Sequence, residues 1–173
     1  MSVWFWIDLE MTGLDPLHDK ILEVALIVTN YSLEPLGTYH KIVYQNEECL
    51  GVMSEYVRNM HEKTGLLSKI PLEGIAESRV DEELMTFVKE YLPSGEKAII
   101  AGNSIHQDRK FIDGYLKKFS SLLHYRMLDV SSFKIVFNAL FQMKYKKKNT
   151  HAALDDINES IDELKFYLDK MKA

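Results

Sequence analysis

The sequence predicts an α/β fold: a mixed five-stranded sheet, three antiparallel strands followed by parallel ones, covered by helices. Three observations carry this expectation. Three apolar runs between residues 3 and 45 are joined by links too short for a crossover helix, which favours antiparallel neighbours. Later in the chain, short apolar runs alternate with segments of helical period, the order that builds a sheet under covering helices. The 173 residues are 46% hydrophobic and 27% charged, too apolar for disorder and enough for a sizeable core in one domain spanning 1–173.

Residues 3–10 open the sheet, since Val3-Trp4-Phe5-Trp6-Ile7 is a β-branched and aromatic run. Gly13-Leu14-Asp15-Pro16 is the turn that ends it. Ile21–Asn30 is almost wholly apolar after Glu23, which suits a second strand buried on both faces. Residues 38–45 read as the third. Residues 50–76 mix Met, Tyr, His and Gly and read as short helices and loops. An amphipathic helix follows over 78–92, with Val80, Leu84, Phe87, Val88, Tyr91 and Leu92 on one face and Pro93-Ser94-Gly95 as its stop. Residues 98–101 form a short buried strand. Ser104 and Gln107 have capping-box spacing for a helix through Lys118. Residues 126–130 read as the last strand, with Ser131 or Ser132 capping the next helix. The final helix starts near His151 and carries Leu154, Ile157, Ile161, Leu164 and Leu168 as its apolar stripe.

Composition excludes several classes. Cys49 is the single cysteine, so an intramolecular disulfide and a cysteine-built zinc site are ruled out, and a reducing, cytoplasmic address is the default. No apolar run approaches the roughly 18 residues of a membrane span. The first residues hold no basic n-region and no small-residue cleavage site, so neither a secretory signal nor a membrane partner is expected. A net charge of −5 argues against a protein that tracks long nucleic acids by charge alone. The charge is uneven: residues 108–148 carry ten Lys or Arg against three Asp, a local +7 that leaves −12 elsewhere. A basic third on an acidic protein fits a small anionic ligand bound locally, or a solvated helix face.

Four acidic positions interrupt regions that otherwise read as core. Asp8 and Glu10 lie two apart on one strand, so their side chains leave the same face. Two adjacent carboxylates repel, and a cation between them relieves the repulsion. Asp108 sits in a first helical turn, and the pair Asp155-Asp156 just inside the last helix, close after His151. Helix-dipole chemistry accounts for an aspartate in a first turn equally well. Taken together, oxygen-only ligands select hard cations, Mg²⁺ or Mn²⁺. Carboxylates with one histidine are the kit for two-metal phosphoryl transfer, the histidine taking the proton of the attacking water. Spacing alone does not choose between Asp155 and Asp156.

Asp8-Leu9-Glu10, the run Gly102-Asn103-Ser104-Ile105-His106-Gln107-Asp108, and His151-Ala152-Ala153-Leu154-Asp155-Asp156 resemble, in order and separation, the three motifs of the DEDDh 3′→5′ exonucleases. Within that superfamily the chain is similar to the oligoribonucleases. The likeness rests on Trp6 through Pro16, on His124-Tyr125-Arg126, on Leu128-Asp129-Val130-Ser131, and on the run from Ala153 to Leu164. It covers essentially the whole chain.

The resemblance implies an RNase H-like exonuclease fold and hydrolysis of very short RNA, dinucleotides in particular, from the 3′ end to 5′-mononucleotides. It implies Asp8, Glu10, Asp108 and Asp156 as ligands of two divalent cations, with His151 as general base; the pattern His-x-Ala-x-x-Asp selects Asp156. It also implies a substrate held at both ends. Leu14 matches a leucine that wedges between two bases, and Ser104, Arg126 and Ser131 match residues that cap the 5′ phosphate, assisted by His61. Tyr125 matches a tyrosine that reaches into the partner subunit's site, so a homodimer is implied. The position five before His61, usually tryptophan in this family, is Tyr56 here, and tyrosine still offers a face for stacking on a base. His106 replaces a glycine seen in many relatives and is given no role. The tract Lys144-Tyr145-Lys146-Lys147-Lys148, just before His151, reads as an attractor of substrate or as a solvated loop.

Overall fold

The computed structural model of the chain describes residues 3–146 and 152–171. Its sheet has five strands. Strand β1 (Val3–Met11) is central, antiparallel to β2 (Ile21–Asn30), which is antiparallel to β3 (Pro35–Ile42). On the other side β1 is parallel to β4 (Ile100–Gly102), and β4 is parallel to β5 (Leu128–Asp129).

Alternation along β1 and β2 divides the core between two sheet faces. Phe5, Ile7 and Leu9 of β1, with Val24, Leu26 and Val28 of β2, face one way. Over them lie Val80, Leu84 and Val88 of α4 (Glu77–Tyr91), Phe111 and Ile112 of α5 (His106–Tyr115), and Phe119 of α6 (Lys117–Ser120). Trp6, Ala25 and Ile27 face the other way, under Val130 and Phe137 of α7 (Val130–Phe141) and Ile157, Ile161, Leu164 and Tyr167 of α8 (Ala153–Met171). The buried Trp6 indole donates to Thr29 Oγ1 at 2.9 Å, so its one polar atom is satisfied. A third, smaller cluster joins Leu22 and Ile42 to Met53, Leu66 and Ile70. It is built around α1 (Glu47–Gly51), α2 (Glu55–Lys63) and α3 (Leu66–Glu73), the short helices expected over 50–76. No helix among the described residues is long and apolar enough to cross a membrane.

The five-stranded mixed sheet under helices is the expected architecture, but five local expectations differ. The third strand spans Pro35–Ile42 rather than 38–45. The hairpin is tighter than its sequence suggests, because the Asn30 side chain accepts from the amides of Ser32 and Glu34 and Leu33 takes φ 63°, so pairing starts at Pro35. Ser104 and Gln107 form no capping box: the Ser104 backbone sits at φ 52°, and the Gln107 amide donates instead to the Leu14 carbonyl. The predicted helix through Lys118 is also broken at Leu116, where the buried Asp81 carboxylate accepts from the amides of Lys118 and Phe119 and opens α6. The last strand is only Leu128–Asp129. Asp129, not Ser131 or Ser132, caps α7, its carboxylate accepting from Ser131 N.

Candidate active site

One face of β1 places the first two acids. Asp8 and Glu10 continue the face of Trp6, over which the first turns of α8 pack through Ala153 and Ile157. That packing brings Asp156 against the strand. Carboxylate oxygens of Asp8, Glu10 and Asp156 all lie within 4.8 Å of one another, and all three residues are half-buried. Asp155 is exposed and outside this cluster. A bulge between Glu10 and Met11 bends the strand end at this point.

Asp108 enters from the opposite side of the strand edge. The β1–β4 ladder pairs Phe5 with Ile100 and Trp6 with Ala101, and β4 ends at Gly102. Leu9 N therefore lacks a strand carbonyl on that side, and Asp108 Oδ1 accepts from it at 3.0 Å. Gly102 is needed for the close approach, since a Cβ there would lie 3.0 Å from the Ile7 carbonyl oxygen.

Burial and crowding make Glu10 and Asp108 reluctant to ionise. Burial first, then the charges of Glu23, Asp156 and Asp108, push the Glu10 carboxyl up to about 8. Burial raises Asp108 to about 7, opposed by the hydrogen bond from Leu9. A cluster of oxygen ligands that resists carrying its own negative charge fits a hard divalent cation, whose charge would offset the repulsion.

His61 is buried beside this cluster. Its Nε2 donates to the Met11 carbonyl at 2.9 Å, and its Nδ1 lies 3.9 Å from Glu10 Oε2. Burial lowers its pKa. The structure thus sets His61 against Glu10 and the end of β1.

Ser104 and Ser131, far apart in sequence, are brought together. Their hydroxyls lie 3.3 Å apart, and Ser104 N donates to Ser131 Oγ at 2.9 Å and to Asp129 Oδ1 at 3.0 Å. Arg126 is exposed, its guanidinium 5.0 Å from the centre of the Tyr125 ring. Tyr125 in turn stacks on His124 at 4.4 Å. Leu14, Tyr56 and Tyr125 are all strongly exposed, at 71%, 77% and 73%. His151, Lys147 and Lys148 lie outside the described residues.

Sequence reading missed a second polar row. Asn103, Asp129, Ser160 and Glu163 connect to the two serines, and Ser160 and Glu163 are buried on α8. The signal was present: Ser160 and Glu163 interrupt the apolar stripe of that helix.

The chain is similar to known proteins along nearly its full length. Residues 5–164, which reach from β1 through Asp156, match the exonuclease family of RNase T type. The chain is 40% identical over 168 residues to the oligoribonuclease of Francisella tularensis subsp. novicida, covering 96% of this chain and 94% of that one. It is 41% identical over 166 residues to the oligoribonuclease of Actinobacillus pleuropneumoniae serotype 5b, covering 94% and 90%. Among solved structures, zinc-bound Escherichia coli exonuclease I in complex with single-stranded DNA superposes with a TM-score of 0.74 at 14% identity over 95% of this chain. The chain spans only 40% of that protein's length, and the likeness is one of fold, the RNase H-like exonuclease sheet. With full-length relatives at 40% identity and an exonuclease match that spans the acidic cluster, the chain belongs to the oligoribonucleases of the exonuclease family, nucleases that are hydrolases.

Proposed function

We propose that this chain, as a single exonuclease domain, is a 3′→5′ exoribonuclease that hydrolyses very short RNA, dinucleotides in particular, to 5′-mononucleotides. The observation that carries the reading is the meeting of the Asp8, Glu10 and Asp156 carboxylates at the end of the central strand, with Asp108 held beside them through Leu9. Those four residues would hold two Mg²⁺ or Mn²⁺ ions. Bound there, the cations would acidify the attacking water and neutralise charge on the leaving oxygen. His151, five residues before Asp156 in the chain, takes the proton of that water.

The remaining residues select the substrate. Leu14 and Tyr56 offer exposed apolar surface to the two bases. The Ser104–Ser131 pair and Arg126 receive the terminal 5′ phosphate, while His61, expected to assist them, is instead buried against Met11 and Glu10 beside the acidic cluster. Arg126 supplies the positive charge that Asp129, so close to both serines, would otherwise oppose. Tyr125 contributes to the site of a second copy in a homodimer. The exposed Ile135, Val136, Leu140 and Phe141 of α7 supply apolar surface of the kind a subunit contact covers. The basic tract 144–148 draws the anionic substrate in, and the setting is the cytoplasm.

The test is cleavage of a labelled 5′-phosphorylated RNA dinucleotide with added Mg²⁺ or Mn²⁺ and with EDTA. A length series up to the heptanucleotide, RNA and DNA, follows under single-turnover conditions. Cleavage should vanish in EDTA and be fastest on the RNA dinucleotide. Undiminished cleavage in EDTA would overturn the metal site. A flat length profile would reduce the protein to a general short-strand exonuclease.

A further inference from the structure

Asp156, Ser160, Glu163 and Tyr167 follow one another along α8 at helical spacing and form one row on its inner face. Asp156 joins the acidic cluster; the next three lead elsewhere. Ser160, Glu163 and Tyr167 are buried, at 4%, 1% and 0% exposure, and the polar atoms of the first two meet Asn103 in the loop after β4. Asn103 Nδ2 donates to Ser160 Oγ at 2.8 Å and to Glu163 Oε2 at 3.1 Å. Tyr167 donates its hydroxyl to Glu163 Oε1 at 3.0 Å.

This clamp decides the orientation of the amide. Flipped, Asn103 would turn its oxygen toward the Glu163 carboxylate; as it stands, both amide protons are used and Oδ1 faces Ser131. Ser131 Oγ donates to Oδ1 at 3.2 Å and accepts from Ser104 N at 2.9 Å. Ser104 itself is held at φ 52°, a left-handed backbone that a serine adopts only when its neighbours enforce it. A serine hydroxyl left without such a partner rotates freely, and each binding event must then order it.

We propose that Asn103, clamped by Glu163 and Ser160, is a positioning residue that fixes the Ser104–Ser131 hydroxyl pair for a terminal 5′ phosphate. Through it, α8 ties the metal cluster and the 5′-end pocket to one rigid element and so sets the length of RNA that fits between them. The inference rests on the reading of Ser104 and Ser131 as the 5′-phosphate pocket. Asp156 and the Ser160–Glu163 half of the clamp share a single helix face, so α8 ties the loop that carries Asn103 and Ser104 to the acidic cluster.

The test compares kcat/KM on an RNA dinucleotide bearing a 5′ phosphate with that on the same dinucleotide bearing a 5′ hydroxyl. The ratio is measured for the parent, Ser131→Ala, Asn103→Ala, Glu163→Ala and Glu163→Gln, each with a melting curve. Asn103→Ala and Glu163→Ala should lower the ratio by about two- to tenfold, the worth of one neutral hydrogen bond, with the loss in KM rather than kcat. Glu163→Gln should keep the ratio, because its carbonyl can still accept from Asn103 while its NH₂ donates to Tyr167. Asn103 is only half-buried, so Asn103→Ala reads the same contact should Glu163→Ala fail to fold.

If Ser131→Ala lowers the ratio and Asn103→Ala does not, the clamp is overturned while the pocket stands. An unchanged ratio in Ser131→Ala removes the pocket, and the clamp with it. Equal losses on both substrates with a lower melting temperature would make Asn103 merely structural. A fall in Glu163→Gln equal to that in Glu163→Ala would assign the effect to the charge and also overturn the clamp.

Discussion

Asp155 and Asp156 are chemically identical neighbours with opposite surroundings: one exposed, the other facing Asp8 and Glu10. Asp156→Ala should therefore lower turnover by at least about 10²-fold, the scale of losing one preorganised electrostatic group. Asp155→Ala should stay within about twofold, as for a surface charge. Steady-state assays of both variants at saturating cation check this, and the reverse ranking would move the ligand to Asp155. Asp8→Ala should also lose turnover, while its cation-free form melts no lower than the parent, because one of three crowded carboxylates is gone. His151→Ala should lower the single-turnover rate by roughly 10²–10⁴-fold, the range for a general base, and raising the pH should recover part of the loss. Loss of cation binding in that variant, read by titration calorimetry, would make His151 a ligand instead.

At the scale of elements, the sheet is set by alternation and the helix junctions by single carboxylates. Asp81 of α4 is buried and accepts from two backbone amides that begin α6. Asp81→Ala should destabilise the fold by about 1–2 kcal/mol, as for a lost helix cap, and leave kcat unaltered. A denaturant titration with unchanged slope reads the effect. The strands were legible because apolar period and turn residues speak locally: Ile21–Asn30 is the observed strand to the residue. The helix starts were less so. The Ser104–Gln107 spacing mimics a cap, but Gln107 is drawn to Leu14, ninety-three residues away in sequence, and Asp81 acts on α6 from thirty-seven residues away. In the site, Asp8 and Glu10 could be read from strand parity alone. The choice of Asp156 needed a family pattern, and the part of Asn103 needed the tertiary meeting of β4 with α8.

For the whole molecule, the acidic cluster should couple stability to protons and to cations. The Glu10 and Asp108 pKa values are raised from 4.5 and 3.8 to about 8 and about 7. Their contribution to stability is fully present below the lower values and lost as pH rises through the higher ones. In EDTA the melting temperature should therefore fall from about pH 4.5 to about pH 8 through these groups. Saturating Mg²⁺ or Mn²⁺ should reverse that fall, because the cation binds the ionised form. The gap between cation and EDTA melts should widen with pH; a gap that narrows would show that the cation is held elsewhere. The carboxylate of Asp108 also closes the hydrogen-bond ladder where β4 runs out. That double duty bears on how such a chain can drift in evolution. A lineage released from selection for activity can shed Asp8 or Asp156 without harm to folding, and even with relief of repulsion. The same lineage is kept from shedding Asp108, since its loss strands the Leu9 amide in the interior. Among descendants that no longer cut RNA, the aspartate at this position should be the last of the four acids to disappear, and asparagine, which still offers an oxygen to Leu9, the first replacement tolerated.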